Sequence, residues 1–188
     1  MRPLLVLLAY NLKHDEVTDV VLKPALGVEV FHNFTLMHDD IMDVAPLRRG
    51  KPTVHEKWND NVAILSGDVM LLKAFEMFFS VDKELLPVIL QKFSNCAVEL
   101  CEGQQQDMNF ESRESVSEAE YLEMIRNKTA VLLGFSLELG GLLAGVDNQT
   151  AENLRDFGIN IGLGFQLKDD LLDVYGNKEK FGKQVGGD

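Results

Sequence analysis

The amino-acid sequence predicts an all-α fold in a single domain that spans residues 1–188. Three observations support this prediction. Apolar residues recur at spacings of three and four over several long stretches, which is the pattern of helices with a buried face. No segment shows the strict alternation of apolar and polar residues that is typical of half-buried strands. A chain of 188 residues is also short of two average domains.

Each predicted helix is separated from the next by residues that start or stop helices. Ser117 with Glu120 three positions later is a capping box, which starts the fifth helix. Pro46 and Pro52 break the chain after the second helix, because a residue before proline disfavours the α conformation. Gly176 ends the last helix. The predicted ranges are 2–12, 17–43, 60–80, 83–109, 117–145 and 149–176.

Composition excludes several classes of function. The 18 basic and 30 acidic residues give a net charge of −12, which argues against a nucleic-acid partner, since phosphate backbones are bound by basic faces. The longest nearly apolar run, Val131 to Val146, contains Glu138 and is shorter than the ~18 residues of a membrane span, so we interpret it as a buried helix. Cys96 and Cys101 suit neither a disulfide framework nor a zinc site, and indicate reduced thiols in the core of a cytoplasmic protein.

Both ends of the chain indicate a part of a longer protein. The first residues already read as an apolar helix with a single basic residue, Arg2, and no cleavage site for a signal peptide. The last residues form a glycine-rich loop, on which folded domains rarely end. We therefore expect residues 1–188 alone to be inactive or nearly so.

Two acidic clusters are the strongest functional signal. Each reads Asp-Asp-x-x-Asp at the end of an apolar helix; the clusters are residues 39–43 and 169–173. Asp39 and Asp43, like Asp169 and Asp173, are four positions apart, so each pair projects from one helix face. Like charges at this spacing repel unless a cation lies between them. Oxygen ligands of this kind suit Mg²⁺, which also binds waters and substrate phosphates.

A basic segment follows the first cluster. Arg48 and Arg49 come five and six residues after Asp43. Paired arginines can each bind two phosphate oxygens at once. Together with the acidic cluster, this segment predicts a diphosphate that is bridged to the carboxylates by Mg²⁺.

The ordered set of motifs resembles the trans-polyprenyl diphosphate synthases, short-chain type. The motifs are His32-Asn33, His38 to Asp43, Arg48 to Pro52, Lys128-Thr129, Phe165 to Asp173 and Phe181 to Asp188. The start, Met1 to Leu4, resembles the tail of the family's Gly-Gly-Lys-x-x-Arg-Pro motif, whose lysine this chain lacks. The resemblance implies a bundle of long, mostly antiparallel helices around a central apolar cavity, and a homodimer.

The resemblance also implies a reaction and a role for each matching residue. Isopentenyl diphosphate would condense head to tail with an allylic diphosphate and release pyrophosphate, with Mg²⁺ as cofactor. The implied roles fall into four groups: Asp39, Asp43, Asp169 and Asp173 bind metal; Arg48, Lys128 and Lys183 contact the allylic diphosphate; Arg2, His32 and Arg49 hold isopentenyl diphosphate; Thr129 and Gln166 lie beside the forming allylic cation.

Product length is expected to depend on the helix that leads into the first cluster. The resemblance implies that the product grows along this helix towards its N-terminus. Phe34 and Phe31 lie five and eight residues before Asp39, about 7.5 and 12 Å lower at ~1.5 Å per residue, whereas Thr35 is small. We expect one of the two rings to close the tunnel and a product of C15 to C20, although Phe34 also suits plain core packing.

Other functions fit the sequence less well. His38 beside Asp39 suits an HD-type metal phosphohydrolase, with His14, His32 or His55 as a further ligand. That class leaves the second acidic cluster unexplained. Terpene cyclases also use an aspartate-rich helix, but the paired clusters with Arg-Arg-Gly favour chain elongation. A non-catalytic subunit used for dimerisation is the alternative from a different class.

Overall fold

The computed structural model describes residues 1–175, apart from the side chain of Asp173. Helices dominate this part of the chain, as predicted. The helices are α1 (Arg2–Tyr10), α2 (Asp19–Met42), α3 (Val54–Lys57), α4 (Asp60–Phe78), α5 (Leu86–Phe110), α6 (Glu118–Ile125), α7 (Val131–Leu143) and α8 (Asn148–Tyr175), with a π-helical segment, Arg126–Ala130, between α6 and α7 and two short strands, β1 (Leu47–Arg48) and β2 (Lys51–Pro52).

The first and last residues of the six predicted helices agree with those of the observed helical segments to within three residues. The capping box at Ser117 is present, because its side chain accepts from the backbone of Glu120 and the Glu120 side chain accepts in return. The predicted stop at Gly176 lies outside the described residues.

The continuous helix predicted over 117–145 is wrong in one respect. Residues Arg126–Ala130 form a π-helical turn, so the segment consists of α6, the π-helical segment and α7. A π turn holds one more residue than an α turn, and such turns are frequent at functional sites.

The chain between α2 and α4 also contains structure that the sequence pattern did not predict. Leu47 pairs with Pro52, and Arg48 with Lys51, in an antiparallel hairpin. Its two central residues, Arg49 and Gly50, have φ angles of 53° and 74°. Two positive φ angles are typical of a type I′ turn, whose twist matches that of paired strands. The hairpin lies directly after the first acidic cluster.

The core is built around α7 and a group of phenylalanine rings. All residues of α7 from Val131 to Leu142 are buried, which confirms the predicted buried helix. The Phe93 ring lies 4.8 Å from both Phe31 and Phe78, 4.9 Å from Phe75 and 5.6 Å from Phe135 between ring centroids. These contacts join α2, α4, α5 and α7 into one core.

A charged pair interrupts this apolar core. Glu138 is only 2% exposed and accepts a hydrogen bond from Lys92 Nζ at 2.5 Å. The Arg155 Nε lies 4.0 Å from the other carboxylate oxygen. Buried carboxylates are tolerated when they are paired in this way.

Glycines let α8 and α5 approach the segment that contains α7 and the π turn. A Cβ on Gly158 would lie 2.7 Å from Gly134 Cα, and one on Gly162 would lie 2.6 Å from Ala130 Cα. A Cβ on Gly103 of α5 would overlap the backbone nitrogen of Lys128. The π-helical segment is therefore held on two sides by backbone contacts.

Two further predictions concern membranes and thiols. Within residues 1–175, no helix combines the length and the apolar character needed to cross a bilayer. Cys96 and Cys101 are free thiols; Cys96 is buried as predicted, but the prediction of a core position is wrong for Cys101, which is exposed.

Candidate active site

The first acidic cluster lies at the C-terminal end of α2. Asp39 is half-buried, and Asp43 caps the helix with its backbone N–H bonded to the Asp39 carbonyl at 2.9 Å. Burial raises the pKa of Asp39 to about 6; the charge of Lys128 opposes this shift and that of Asp43 adds to it. Burial also raises the pKa of Asp43. Asp43 is exposed and Asp39 is half-buried, and the repulsion between the two carboxylates favours a bound cation at this helix end.

Lys128 lies against this cluster from the π-helical segment. Its Nζ donates a short hydrogen bond to Asp107 Oδ2 of α5. Burial lowers the pKa of Lys128, but the bond to Asp107 and the charges of Asp107, Asp39 and Asp43 outweigh it, so the pKa is raised. The lysine is therefore a fixed positive charge beside both aspartates.

Asp107 was not identified from the sequence. It lies one helical turn after Gly103, the residue that lets α5 touch the π-helical segment. It also lies close enough to Asp43 to raise the pKa of that residue. A glycine followed four residues later by an aspartate is a common pattern in helices. Its importance is visible only once the contact between α5 and the π-helical segment is known.

The hairpin brings a basic side chain to the same helix end. Arg48 Nε donates to Asp40 Oδ1 at 2.6 Å, and Asp40 is 5% exposed. The guanidinium thus uses one of its five donors for this anchor. The second aspartate of the cluster therefore holds the arginine.

A second group of charges surrounds the start of α1. Arg2 Nε and Glu29 Oε2 are buried with no hydrogen-bond partner in the described part of the chain. Burial lowers the pKa of Arg2 to about 10, against the charge of Glu29. Burial, with the charges of Arg2 and Arg49, lowers the pKa of His32 to about 3. A neutral histidine within reach of two arginine charges is an environment that favours an anion.

The π-helical segment is also bonded to α8 just before the second acidic cluster. Thr129 Oγ1 donates to Gln166 Oε1 at 2.9 Å, one turn of α8 before the second cluster. Asp169 is half-buried on α8. Within residues 1–175, no three acidic, histidine or cysteine side chains converge closely enough to hold a metal ion by themselves. The predicted ligand Asp173 has no described side chain, and Lys183 lies outside the described residues.

The two rings expected to limit product length have different surroundings. Phe31 is 1% exposed and belongs to the phenylalanine core. Phe34 is half-buried, with its ring 5.6 Å from Phe31 and 4.7 Å from His38 between centroids. Thr35 is buried and donates to the His32 carbonyl at 2.8 Å. Phe34 is thus the more accessible ring.

The contacts of His38 account for its position without a bound metal ion. Its Nε2 lies 3.2 Å from the Ile64 carbonyl oxygen, and its imidazole packs edge-on to Phe34. His14 instead stacks on Tyr10, with its Nε2 3.3 Å from the Ala144 carbonyl oxygen. These two histidines thus fill separate packing sites, which weakens the phosphohydrolase alternative.

Comparison with known proteins assigns the chain to a family. Residues 1–188 match the sequence profile described as "Polyprenyl synthetase". The chain belongs to the polyprenyl synthetase family. It is 44% identical over 190 residues to a protein named geranylgeranyl diphosphate synthase from Methanosarcina mazei, covering 100% of this chain and 58% of that protein. A short chain isoprenyl diphosphate synthase from Methanocaldococcus jannaschii is 44% identical over 189 residues, which are 100% of this chain and 57% of that protein.

Solved structures of polyprenyl synthetase family relatives have the same fold. A crystal structure of geranylgeranyl pyrophosphate synthetase from Pyrococcus horikoshii matches with a TM-score of 0.90 at 40% identity. The match covers 100% of this chain and 58% of that one. The chain thus spans a little under three fifths of the length of the relatives it matches.

Proposed function

We propose that the protein catalyses the Mg²⁺-dependent, head-to-tail condensation of isopentenyl diphosphate with an allylic prenyl diphosphate. Pyrophosphate is released, and the product is a short trans-polyprenyl diphosphate of C15 to C20. The observation that carries the proposal is Lys128, which is bonded to Asp107 and lies close enough to Asp39 and Asp43 for their charges to raise its pKa. The similarity to proteins named geranylgeranyl and short chain isoprenyl diphosphate synthases supports the substrate class.

The donor set fits Mg²⁺. Asp39 and Asp43 offer hard oxygen ligands on one helix face, and Asp169 and Asp173 offer a second pair. Because Mg²⁺ commonly takes one or two carboxylates together with waters and phosphate oxygens, two pairs suit ions shared with a diphosphate. When bound, the metal stabilises the negative charge of a departing pyrophosphate.

The side chains of the protein hold the two diphosphates. Lys128 and Arg48 supply fixed positive charge for the leaving group, and Lys183 is expected to add to it. Such preorganised charge stabilises a transition state more than the same groups in water would. Arg2 and Arg49, together with neutral His32, hold the diphosphate of isopentenyl diphosphate.

The remaining groups act at the carbon that becomes positive. Thr129 and Gln166 present oxygen atoms at the edge of the site, and apolar side chains of α2 exclude water that would trap the cation. The double bond of isopentenyl diphosphate attacks this carbon, and the departing pyrophosphate takes the proton that is then lost. No protein base is required, since the acidic clusters bind metal.

Replacing the acidic residues tests the proposal. In the full-length protein that contains this sequence, Asp39→Ala and Asp169→Ala should each lower the rate of condensation by several orders of magnitude. The reason is that metal-assisted stabilisation of the leaving group is worth several kcal/mol. Chelation of Mg²⁺ should abolish turnover. Asp15→Ala, in an exposed loop, is the matched control. Pyrophosphate release and mass spectrometry of the product are the measurements. Near-normal turnover in both variants would contradict the proposed function.

We also propose a homodimer that forms through α4. Leu65, Val69 and Leu72 are 65%, 55% and 64% exposed and lie on one face of this helix at spacings of four and three. Exposed apolar stripes of this kind mark protein interfaces. Leu65→Lys together with Leu72→Lys should give a monomer by light scattering. An unchanged dimer would exclude this face.

A non-catalytic subunit remains the alternative function, and the same apolar face is the observation in its favour. Its test is the condensation assay: a well-folded dimer that binds neither diphosphate nor Mg²⁺ would favour it.

A further inference from the structure

A chain of hydrogen bonds connects the π-helical segment to α8 and α6. Thr129 Oγ1 donates to Gln166 Oε1 at 2.9 Å, and Gln166 Nε2 donates to Asp170 Oδ1 at 2.7 Å. The Tyr121 hydroxyl donates a short hydrogen bond to Asp170 Oδ2. Tyr121 is therefore linked through two side chains to a residue at the edge of the candidate site.

The direction of every bond in this chain is determined by chemistry. An ionised carboxylate only accepts hydrogen bonds, so Asp170 must face the amide nitrogen of Gln166. The amide oxygen then faces Thr129, whose hydroxyl has to donate its only proton to it. The lone pairs of the Thr129 hydroxyl are left for other partners.

The surrounding backbone holds the two ends of this chain in place. Gly162, one turn before Gln166, touches Ala130 closely, which fixes α8 against the π-helical segment. Tyr121 directly follows Glu120 of the capping box, and Glu120 accepts two hydrogen bonds from Arg113 at 2.8 and 3.3 Å. The phenol thus projects from an ordered first turn of α6.

The second aspartate has a comparable role in both clusters. Asp40 anchors Arg48, and Asp170 anchors Gln166. In neither cluster is this aspartate among the carboxylates expected to bind metal.

We propose that Tyr121 is a positioning residue for the reaction. Through Asp170 it sets the orientation of the Gln166 amide, and through that amide it directs the lone pairs of the Thr129 hydroxyl towards the developing allylic cation. This inference rests on the proposed function, because it assumes a cation beside Thr129. Without the phenol, Asp170 and the amide can rotate, and the hydroxyl loses its fixed direction.

The experiment compares Tyr121→Phe with wild type in the full-length protein that contains this sequence. Tyr175→Phe is the matched control, since Tyr175 is 82% exposed. With isopentenyl diphosphate and an allylic diphosphate as substrates, Tyr121→Phe should lower kcat about tenfold, the effect of one hydrogen bond to a charged group. KM for both substrates should stay within twofold, because other residues hold the diphosphates.

A double-mutant cycle separates this role from general damage. In a Thr129→Val background, adding Tyr121→Phe should change kcat less than twofold, because the group that the tyrosine directs is gone. A full additional tenfold loss would overturn the proposal, as would an unchanged kcat or a raised KM at constant kcat in the folded Tyr121→Phe protein. If Tyr121→Phe does not fold, Asp170→Asn must show the same split between kcat and KM; otherwise the proposal fails.

The activity of the wild type distinguishes a failure of the proposed function from a failure of the role of Tyr121. A wild-type protein with no condensation activity would overturn both the proposed function and this role. An active wild type with an equally active Tyr121→Phe variant would overturn the role of Tyr121 alone.

Discussion

Replacing Gly103 by alanine should destabilise the protein by about 2 kcal/mol. A Cβ at this position would lie 2.7 Å from the carbonyl carbon of Asn127, whereas ordinary contacts begin at 3.4 Å. The two backbones must therefore part by at least 0.7 Å, the difference between these distances. Overpacking of this kind costs roughly 1–3 kcal/mol, here at the upper end because backbone atoms cannot rotate away. The better helix propensity of alanine returns ~1 kcal/mol.

Urea unfolding followed by circular dichroism measures this change in stability. The midpoint should fall while the slope of the unfolding free energy against urea stays the same. Gly164→Ala is the matched control, since nothing lies within 4 Å of its Cβ, and it should stabilise the protein by about 0.5–1 kcal/mol. Condensation activity should also fall in Gly103→Ala, because Lys128 moves with the backbone. A Gly103→Ala protein as stable as wild type would refute this account of the helix crossing.

Three further perturbations test other parts of the structure. Phe34→Ala combined with Phe31→Ala should lengthen the product by one or more isoprene units by mass spectrometry; an unchanged product from a folded variant means that neither ring closes the tunnel. Because the pKa of His32 is lowered to about 3, the unfolded chain takes up its proton first, and folding stability falls as pH drops from about 6.5 towards 3. His32→Asn should flatten this part of the stability curve, and an equal slope would contradict it. Lys92→Met should cost about 3 kcal/mol in urea unfolding, because it removes the hydrogen bond to buried Glu138 and leaves that carboxylate with only Arg155, 4.0 Å away. Adding Glu138→Leu should recover most of that loss, whereas no recovery would argue against a buried pair.

The helices were predictable because a buried helix face gives a repeated pattern of apolar residues in the sequence. The apolar run of α7 indicated a buried helix, and the capping box at Ser117 indicated the start of α6. The π turn between α6 and α7 has no comparable pattern in the sequence. It is held by contacts with distant residues, namely Gly103 on α5 and Gly162 on α8, which local patterns do not reveal.

The candidate site was predictable where its residues lie close together in sequence. Asp39 and Asp43 share a helix face by spacing alone, and both lie near enough to Lys128 for their charges to raise its pKa. Asp107 and Tyr121 were missed, since each acts on a residue of another helix. The roles of all the site residues stay predictions.

The π-helical segment gives two adjacent residues to two different helices. Lys128 is bonded to α5 and Thr129 to α8, and each of these helices approaches the segment through a glycine. A displacement of this short segment would therefore move Lys128 and Thr129 together and disturb the contacts with both helices. Deleting one residue from Arg126–Ala130 would restore an ordinary α-helix and rotate one of the two neighbours by about 100°, so that a single helical register could not serve both halves of the site.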